Sequence, residues 1–396
     1  MLMALAFTST TFETARYTVM VWVLGNPDNS PYVLLASQLL IVLGGLLGVG
    51  ASPFLARRMR SSRIVLLAFC ALAAYACSVA AVVHLVGAVD EQFASWVIAC
   101  LGGFFGFVST FNGTVWLPLL NDWHGSPTQS SRARLQIDGA TYQLGKIVGP
   151  LVSGAYCLFL ASPLLIASVL DAVTYLILGI FASRCVTAGY GPSHVGAQAT
   201  RPDGVHVPKA QFACHFANNQ FRIWLCLLVI TMSVDGVKLY LPRLIQIAGA
   251  SGSMYGIVQT CLAASAIVAA LLLSRIQART LVMLVLGCSL LGLGMAIWSL
   301  AFAHTVFWIF GAILIGSGSS AIFPSVTSAL LTAARDSTSR SAAAGAIVLT
   351  RQWGGALGGI VMIAILSVAP MASTALLIAA VVAGGSWLIV PRTVRF

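Results

Sequence analysis

Charge is scarce in this chain. Of 396 residues only 10 are acidic and 21 basic, 8% together, whereas 59% are apolar. So few charged groups cannot cover a water-facing surface, and a mean hydropathy of +0.95 assigns the apolar surface to lipid. The alternation of apolar and polar residues that marks a membrane-barrel strand is missing too. The apolar runs are instead continuous for about 20 residues at a time, so the spans are helical.

Other absences narrow the function. Nine cysteines and six histidines occur, but neither type recurs at metal-ligand spacing. Cys70, Cys77, Cys100, Cys226, Cys261 and Cys288 fall inside apolar runs and read as small packing residues. No Gly-Lys-Ser/Thr phosphate loop is present, so nothing in the chain would hydrolyse a nucleotide, and no cofactor is expected. No nucleophile–base or paired-carboxylate arrangement suggests an enzyme. The first apolar run has neither a basic region before it nor a small-residue cleavage site after it, so it is read as helix one rather than a removable signal.

What is present is a series of twelve apolar runs. They begin near Leu2, Pro31, Ile64, Ser95, Leu135 and Pro163, then near Ile223, Met254, Leu281, Thr305, Ala342 and Met371. The expected fold is all-α and integral to the membrane: residues 1–184 form one six-helix bundle, 185–221 a cytoplasmic linker and 222–396 a second bundle. The end of the linker, Ala210 to Arg222, suits a short helix lying on the membrane surface. Arg57, Arg58, Arg60 and Arg63 follow span two, and Arg132 and Arg134 follow span four. Arg184, Arg201, Lys209 and Arg222 flank the linker; Arg275, Arg279, Arg335, Arg340, Arg392 and Arg395 occupy later connections on the same side. The opposite connections hold Asp28, Asp90 and Glu91 together with Arg243. Basic residues near span ends stay cytoplasmic, so both termini are expected inside. The net charge of +11 is thus a record of topology, and its division among six connections excludes a nucleic-acid surface.

The two halves repeat each other. Glu13 and Arg16 match Asp235 and Lys238 at an offset of 222, and Gln38 matches Gln259 at 221. Arg57 matches Arg275 at 218, Pro118 matches Pro324 at 206, and Lys146, Gly149 and Gly154 match Arg351, Gly354 and Gly359 at 205. A steadily falling offset is what a duplication with shortened loops leaves. Glycines four apart (Gly44 and Gly48, Gly102 and Gly106, Gly145 and Gly149, Gly354 and Gly358) mark faces where helices approach closely.

With twelve spans in two parallel repeats, the chain resembles the major facilitator superfamily. After span two that family carries Gly-x-x-x-Asp-Arg-x-x-Arg-Arg. Here the stretch runs from Pro53 through Arg57, Arg58 and Arg60 to Arg63, with Arg57 in the place of the gating acid. Gly145, Gly149, Pro150, Ser153 and Gly154 are similar to the span-five signature of the family's proton antiporters. Asn219 to Arg222, and Asp171-Ala-Val-Thr-Tyr in span six, look like the bacterial branch of macrolide-efflux and enterobactin-export proteins. The resemblance implies a bacterial inner-membrane transporter, working as a monomer on a small-molecule substrate and protons by alternating access. It assigns gating to Arg57, Arg58, Gly149 and Pro150. It also implies that spans one, four, seven and ten line a central cavity, with spans two, five, eight and eleven at its sides.

A charge at the bilayer centre costs about 2.5–3.5 kcal/mol even on the lenient insertion scale, so each one needs a reason. Glu13 and Arg16, like Asp235 and Lys238, are three residues apart on one helical face and can pair. Each pair is either a self-neutralising unit that eases insertion or a proton-titratable acid whose partner is released during transport. In the second reading Glu13 and Asp235 couple protons. Asp171 reads as a local structural acid, and Asp138 lies near the cytoplasmic start of span five. Lys146 and Arg351 have no acid one turn away on their own helices: either each reaches an acid on another helix, or together they hold an anionic group. The substrate-binding set is therefore Arg16, Lys146, Lys238 and Arg351, with Gln143, Gln352, Tyr142 and Trp353 beside them. The expected function is proton-coupled export of an amphipathic anionic or zwitterionic metabolite such as a siderophore. Import of a siderophore or nutrient, multidrug efflux and lysophospholipid transport are the alternatives.

Overall fold

The computed structural model describes residues 2–58, 61–86, 90–123, 131–185, 218–273, 280–300, 302, 304–333, 350, 353–366 and 372–389. Among the described residues the secondary structure is entirely helical. The first six helices are α1 (Leu2–Leu24), α2 (Pro31–Arg58), α3 (Ser61–Leu85), α4 (Glu91–Trp123), α5 (Ser131–Phe159) and α6 (Pro163–Cys185). They are followed by α7 (Asn218–Ile247), α8 (Gly252–Leu273), α9 (Thr280–Leu300) and α10 (Thr305–Ala333). The last two are α11 (Trp353–Leu366) and α12 (Ala372–Gly385), which ends in a 3-10 turn at Ser386–Ile389. Nine segments among the described residues are long and apolar enough to cross a membrane, and Leu144–Phe159 and Trp353–Leu366 are shorter apolar helices. The chain is an integral membrane protein.

The helix ends follow local rules. Pro31 and Pro163 open α2 and α6, where a missing N–H costs nothing. Asp90 caps α4 by accepting from the Phe93 N–H at 2.8 Å. At the end of α7 the Gly249 N–H donates to the Gln246 carbonyl and the Ala250 N–H to the Ile245 carbonyl. Gly249 takes φ +77; this is a Schellman stop, and a left-handed residue there favours glycine.

Two compact units emerge. The first contains Met1–Met20, Ala36–Tyr156 and Leu160–Ala213; the second contains Val21–Leu35, Cys157–Phe159 and Cys214–Phe396. The end of α1 and the turn into α2 group with the second unit rather than with the rest of their helices.

Within the first unit, α2 and α4 meet through glycine. A Cβ on Gly44 would collide with the Gly103 carbonyl, one on Gly106 with the Ile41 carbonyl, and one on Gly48 with the Phe107 carbonyl at 2.5 Å. In lipid, where apolar burial drives little, such backbone proximity supplies the packing and Cα–H···O contacts that hold helices together. On α5, a Cβ at Gly145 would lie 2.8 Å from Thr10 Cγ2 and one at Gly149 2.6 Å from Thr14 Cβ. In the second unit Gly354 abuts Thr231, and Gly358 abuts Met232 and Gly236. Thr14 and Gly236 differ by 222, so the contacts equate Gly149 with Gly358 at an offset of 209. This alignment moves the sequence-based one, 205, by one helical turn.

Candidate functional site

The first unit buries an ion pair. Arg16, on α1, and Asp171, on α6, have fully buried side chains, and Arg16 Nε donates to Asp171 Oδ2 at 2.6 Å. The Arg16 guanidinium carbon lies 4.7 Å from the centre of the Tyr75 ring on α3 and 5.1 Å from that of Phe105 on α4. Those two rings stack on each other at 5.1 Å. Planar, weakly hydrated guanidinium suits such a place, because π faces and a carboxylate together replace lost water. Tyr75 in turn donates its hydroxyl to Met20 Sδ at 3.4 Å, fixing the ring.

The pairing expected from spacing, Glu13 with Arg16, is therefore corrected: Arg16 bonds Asp171, and Asp171 is a tertiary partner rather than a locally bonded acid. Neutralising Arg16 from α6 removes the cost of an uncompensated charge inside the bundle. Glu13 is half-buried, one turn before Arg16, and lies within electrostatic reach of Asp171, Tyr75 and Tyr175. On α6, Ser168, Asp171 and Tyr175 recur at three and four residues, so they share one buried stripe. The Tyr175 ring is 6.3 Å from that of Phe69 on α3.

The second unit treats the repeated pair differently. Lys238 Nζ is 3.8 Å from Asp235 Oδ1 on the same helix, and the two side chains keep 35% and 31% of their exposure. The apolar sequence of α12 carries no ionisable residue, so Lys238 has no counterpart of Asp171 there. A partly solvated lysine pair is held far more loosely than a buried arginine pair.

The other expected site residues are distributed as follows. Lys146 is exposed on α5, Gly149 and Pro150 are buried, and Trp353 is half-buried at the start of α11. Pro150 lacks an N–H, so it cannot donate to the carbonyl of residue 146, one turn earlier; its own carbonyl accepts from Ser153 Oγ at 2.7 Å. Arg57, Arg58, Tyr142 and Gln143 belong to helices whose side chains lie outside the described residues there, and Arg351 and Gln352 lie outside the described residues altogether.

Sequence reasoning passed over Arg243. Its Nη1 donates to the Asn29 carbonyl at 2.7 Å and the Asn26 carbonyl at 3.3 Å, and its Nη2 to the Pro27 carbonyl at 3.0 Å. Tyr240 OH donates to the Pro31 carbonyl at 3.0 Å and Gln246 Nε2 to the Trp22 carbonyl at 2.9 Å. One face of α7 thus holds the turn from α1 to α2. Arg243, near the end of α7, thus spends its charge on backbone oxygens beside Asp28.

The profile of the Major Facilitator Superfamily matches residues 126–359, more than half of the chain, so the chain belongs to that superfamily. No curated protein matches it. Solved structures share its fold across nearly all of it. The nucleoside transporter NupG is similar with a TM-score of 0.70, 13% identity and coverage of 98% of both chains. A bacterial homologue of the iron transporter ferroportin gives 0.70, 10% identity and 98% of both chains. The peptide transporter POT in complex with sulfate gives 0.70, 14% identity, 98% of this chain and 93% of that one. The protein is a membrane transporter, not an enzyme.

Proposed function

We propose that the chain is a proton-coupled exporter of an amphipathic anionic or zwitterionic small molecule, with a siderophore-like metabolite the first candidate. It would act as a monomer in a bacterial inner membrane, with both termini cytoplasmic and the halves before and after residues 185–221 working as the two moving bodies. The observation that carries this reading is the Asp235–Lys238 pair: an acid and a base 3.8 Å apart within a membrane span, each about a third exposed. Protonating Asp235 would release Lys238 toward an anionic group, which links proton uptake to substrate binding. Lys146 and Arg351 would supply further positive charge, with Tyr142, Gln143, Gln352 and Trp353 shaping the contact. Gly149 and Pro150, at the glycine contact of α5, and Arg57 and Arg58, the last two residues of α2, would serve gating.

The test is transport by the purified chain in liposomes under an imposed pH gradient, with candidate substrates chosen by comparing metabolites inside and outside cells that have or lack the protein. Efflux driven by inward proton flow supports the reading. Uptake along the same gradient makes the protein an importer, and flux indifferent to pH removes the coupling.

A further inference from the structure

The second unit carries an apolar groove of about 210 Å³ between α7, α11 and α12. It lies beside the crossing where Gly358 brings α11 onto the Met232 carbonyl. Val229 and Ser233 on α7, Val361 on α11, and Ile378 and Val382 on α12 form much of its wall, and among the described residues no ionisable side chain lines it. Its one hydroxyl, on Ser233, donates to the Val229 carbonyl at 2.9 Å, so the only side-chain donor in the wall is already used within α7.

The surroundings decide what enters. Val361, Ile378 and Val382 are 43%, 40% and 42% exposed, so the groove is open at its rim, and in a chain integral to the membrane an apolar opening of this kind meets hydrocarbon. An apolar cavity of roughly 150 Å³ already stays dry and takes up benzene. Left empty, the groove's walls would forgo their dispersion contacts, which an acyl chain restores. Charge supplies the other end of the occupant. Arg222 is exposed and stands seven residues before Val229, two turns away on the same face of α7 and about 10.5 Å along it. From Arg222 to Ser233 the helix rises about 16.5 Å, close to the roughly 15 Å depth of one hydrocarbon leaflet. A phosphate bonded to the Arg222 guanidinium therefore sets the acyl chain beneath it alongside the groove.

We propose that this groove is a phospholipid site: one acyl chain lies between α7, α11 and α12, and the phosphate of the same molecule accepts hydrogen bonds from the Arg222 guanidinium. The lipid is bound, not carried, and the inference stands apart from the identity of the transported substrate. The acyl chain makes the contacts that the three helices leave unmade, and the arginine selects a lipid with a phosphate over an uncharged one.

Native mass spectrometry of the purified full chain, released from detergent after equilibration with dioleoyl phosphatidylglycerol or with dioleoylglycerol, tests this. The expected wild-type spectrum shows one retained phosphatidylglycerol, and weaker retention of dioleoylglycerol, which has the same acyl chains and no phosphate. Val382→Trp fills the groove from its exposed rim and should abolish retention. Val381→Trp, beside it on α12 but off the groove and 69% exposed, should behave as wild type. Arg222→Gln should weaken retention of phosphatidylglycerol about fivefold, the effect of one basic residue at a lipid surface, and leave that of dioleoylglycerol as it was. Phosphatidylglycerol retained equally by the Val382→Trp and Val381→Trp proteins overturns the proposal, as does dioleoylglycerol held as tightly as phosphatidylglycerol by the wild type. A wild-type dimer that Val382→Trp dissociates would put a second copy of the chain in the groove and overturn it too. Arg222→Gln leaves the helix contacts of the groove intact, so it stays decisive where Val382→Trp fails to fold: unchanged retention of phosphatidylglycerol in that variant also sinks the site.

Discussion

Arg16 Nε and Asp171 Oδ2 meet at 2.6 Å, joining α1 to α6 across 155 residues of sequence with no exposure on either side chain. Removing one member of such a pair strands the other charge, which typically costs about 3–5 kcal/mol. Arg16→Met and Asp171→Leu should each lower the thermal unfolding midpoint sharply in detergent, and the double variant should recover much of the loss. A double variant as unstable as the sum of the singles would show that the pair's charges are not what the bundle depends on.

The Asp235–Lys238 pair calls for a different expectation. With about a third of each side chain exposed, its stabilising contribution is about 0–1 kcal/mol. Asp235→Asn should therefore leave the unfolding midpoint nearly unchanged while flattening the pH profile of liposomal transport. Preserved pH dependence in a folded Asp235→Asn protein would make the residue structural.

Arg243 offers a test by exchange. Its guanidinium serves three carbonyls of the turn between α1 and α2, a geometry that lysine's single ammonium cannot reproduce. Both Arg243→Ala and Arg243→Lys should raise amide hydrogen exchange across residues 26–33, while exchange in α3 and α9 stays as in the wild type. Equal protection in all three proteins would refute the role given to this side chain.

Glycine contacts separate into intolerant and indifferent positions. A Cβ at Gly149 would lie 2.6 Å from Thr14 Cβ, and one at Gly358 would strike the Met232 carbonyl, whereas Gly385 has nothing within 4 Å. Gly149→Ala and Gly358→Ala should cost about 1–3 kcal/mol through overpacking, and Gly385→Ala should be near neutral. Thermal unfolding of the three variants side by side decides it.

Much of the architecture was legible in the residues themselves. The run beginnings near Leu2, Pro31, Pro163 and Thr305 coincide with helix starts, and those near Met254, Leu281 and Met371 come within two residues. Ala342, the eleventh, lies outside the described residues. Continuous apolarity and prolines at first positions are local signals, so they survive without tertiary information. The glycine pairs four residues apart were equally readable, because small residues at that spacing make a groove on any helix. The partner of Arg16 was not. Spacing offers Glu13, three residues away, and only the packing of α6 against α1 brings in Asp171; a signal did exist in the buried stripe of Ser168, Asp171 and Tyr175. The repeat also promised two equivalent acid–base pairs. The absence of any ionisable residue on α12 breaks that equivalence, and it becomes visible only once Arg16 is seen to reach α6. Arg243 escaped for a related reason: backbone carbonyls carry no sequence signature.

The carbonyl-to-glycine approach of α2 and α4 bears on how genetic data for this transporter should be interpreted. A screen for lost activity will return Gly44 and Gly106 beside any genuine recognition residues, since no side chain fits against the facing backbone. Such hits would report a helix pair pushed apart before any molecule is carried. Sorting variants by the amount of folded protein in the membrane, ahead of any flux assay, would keep these positions from being mistaken for determinants of what is transported.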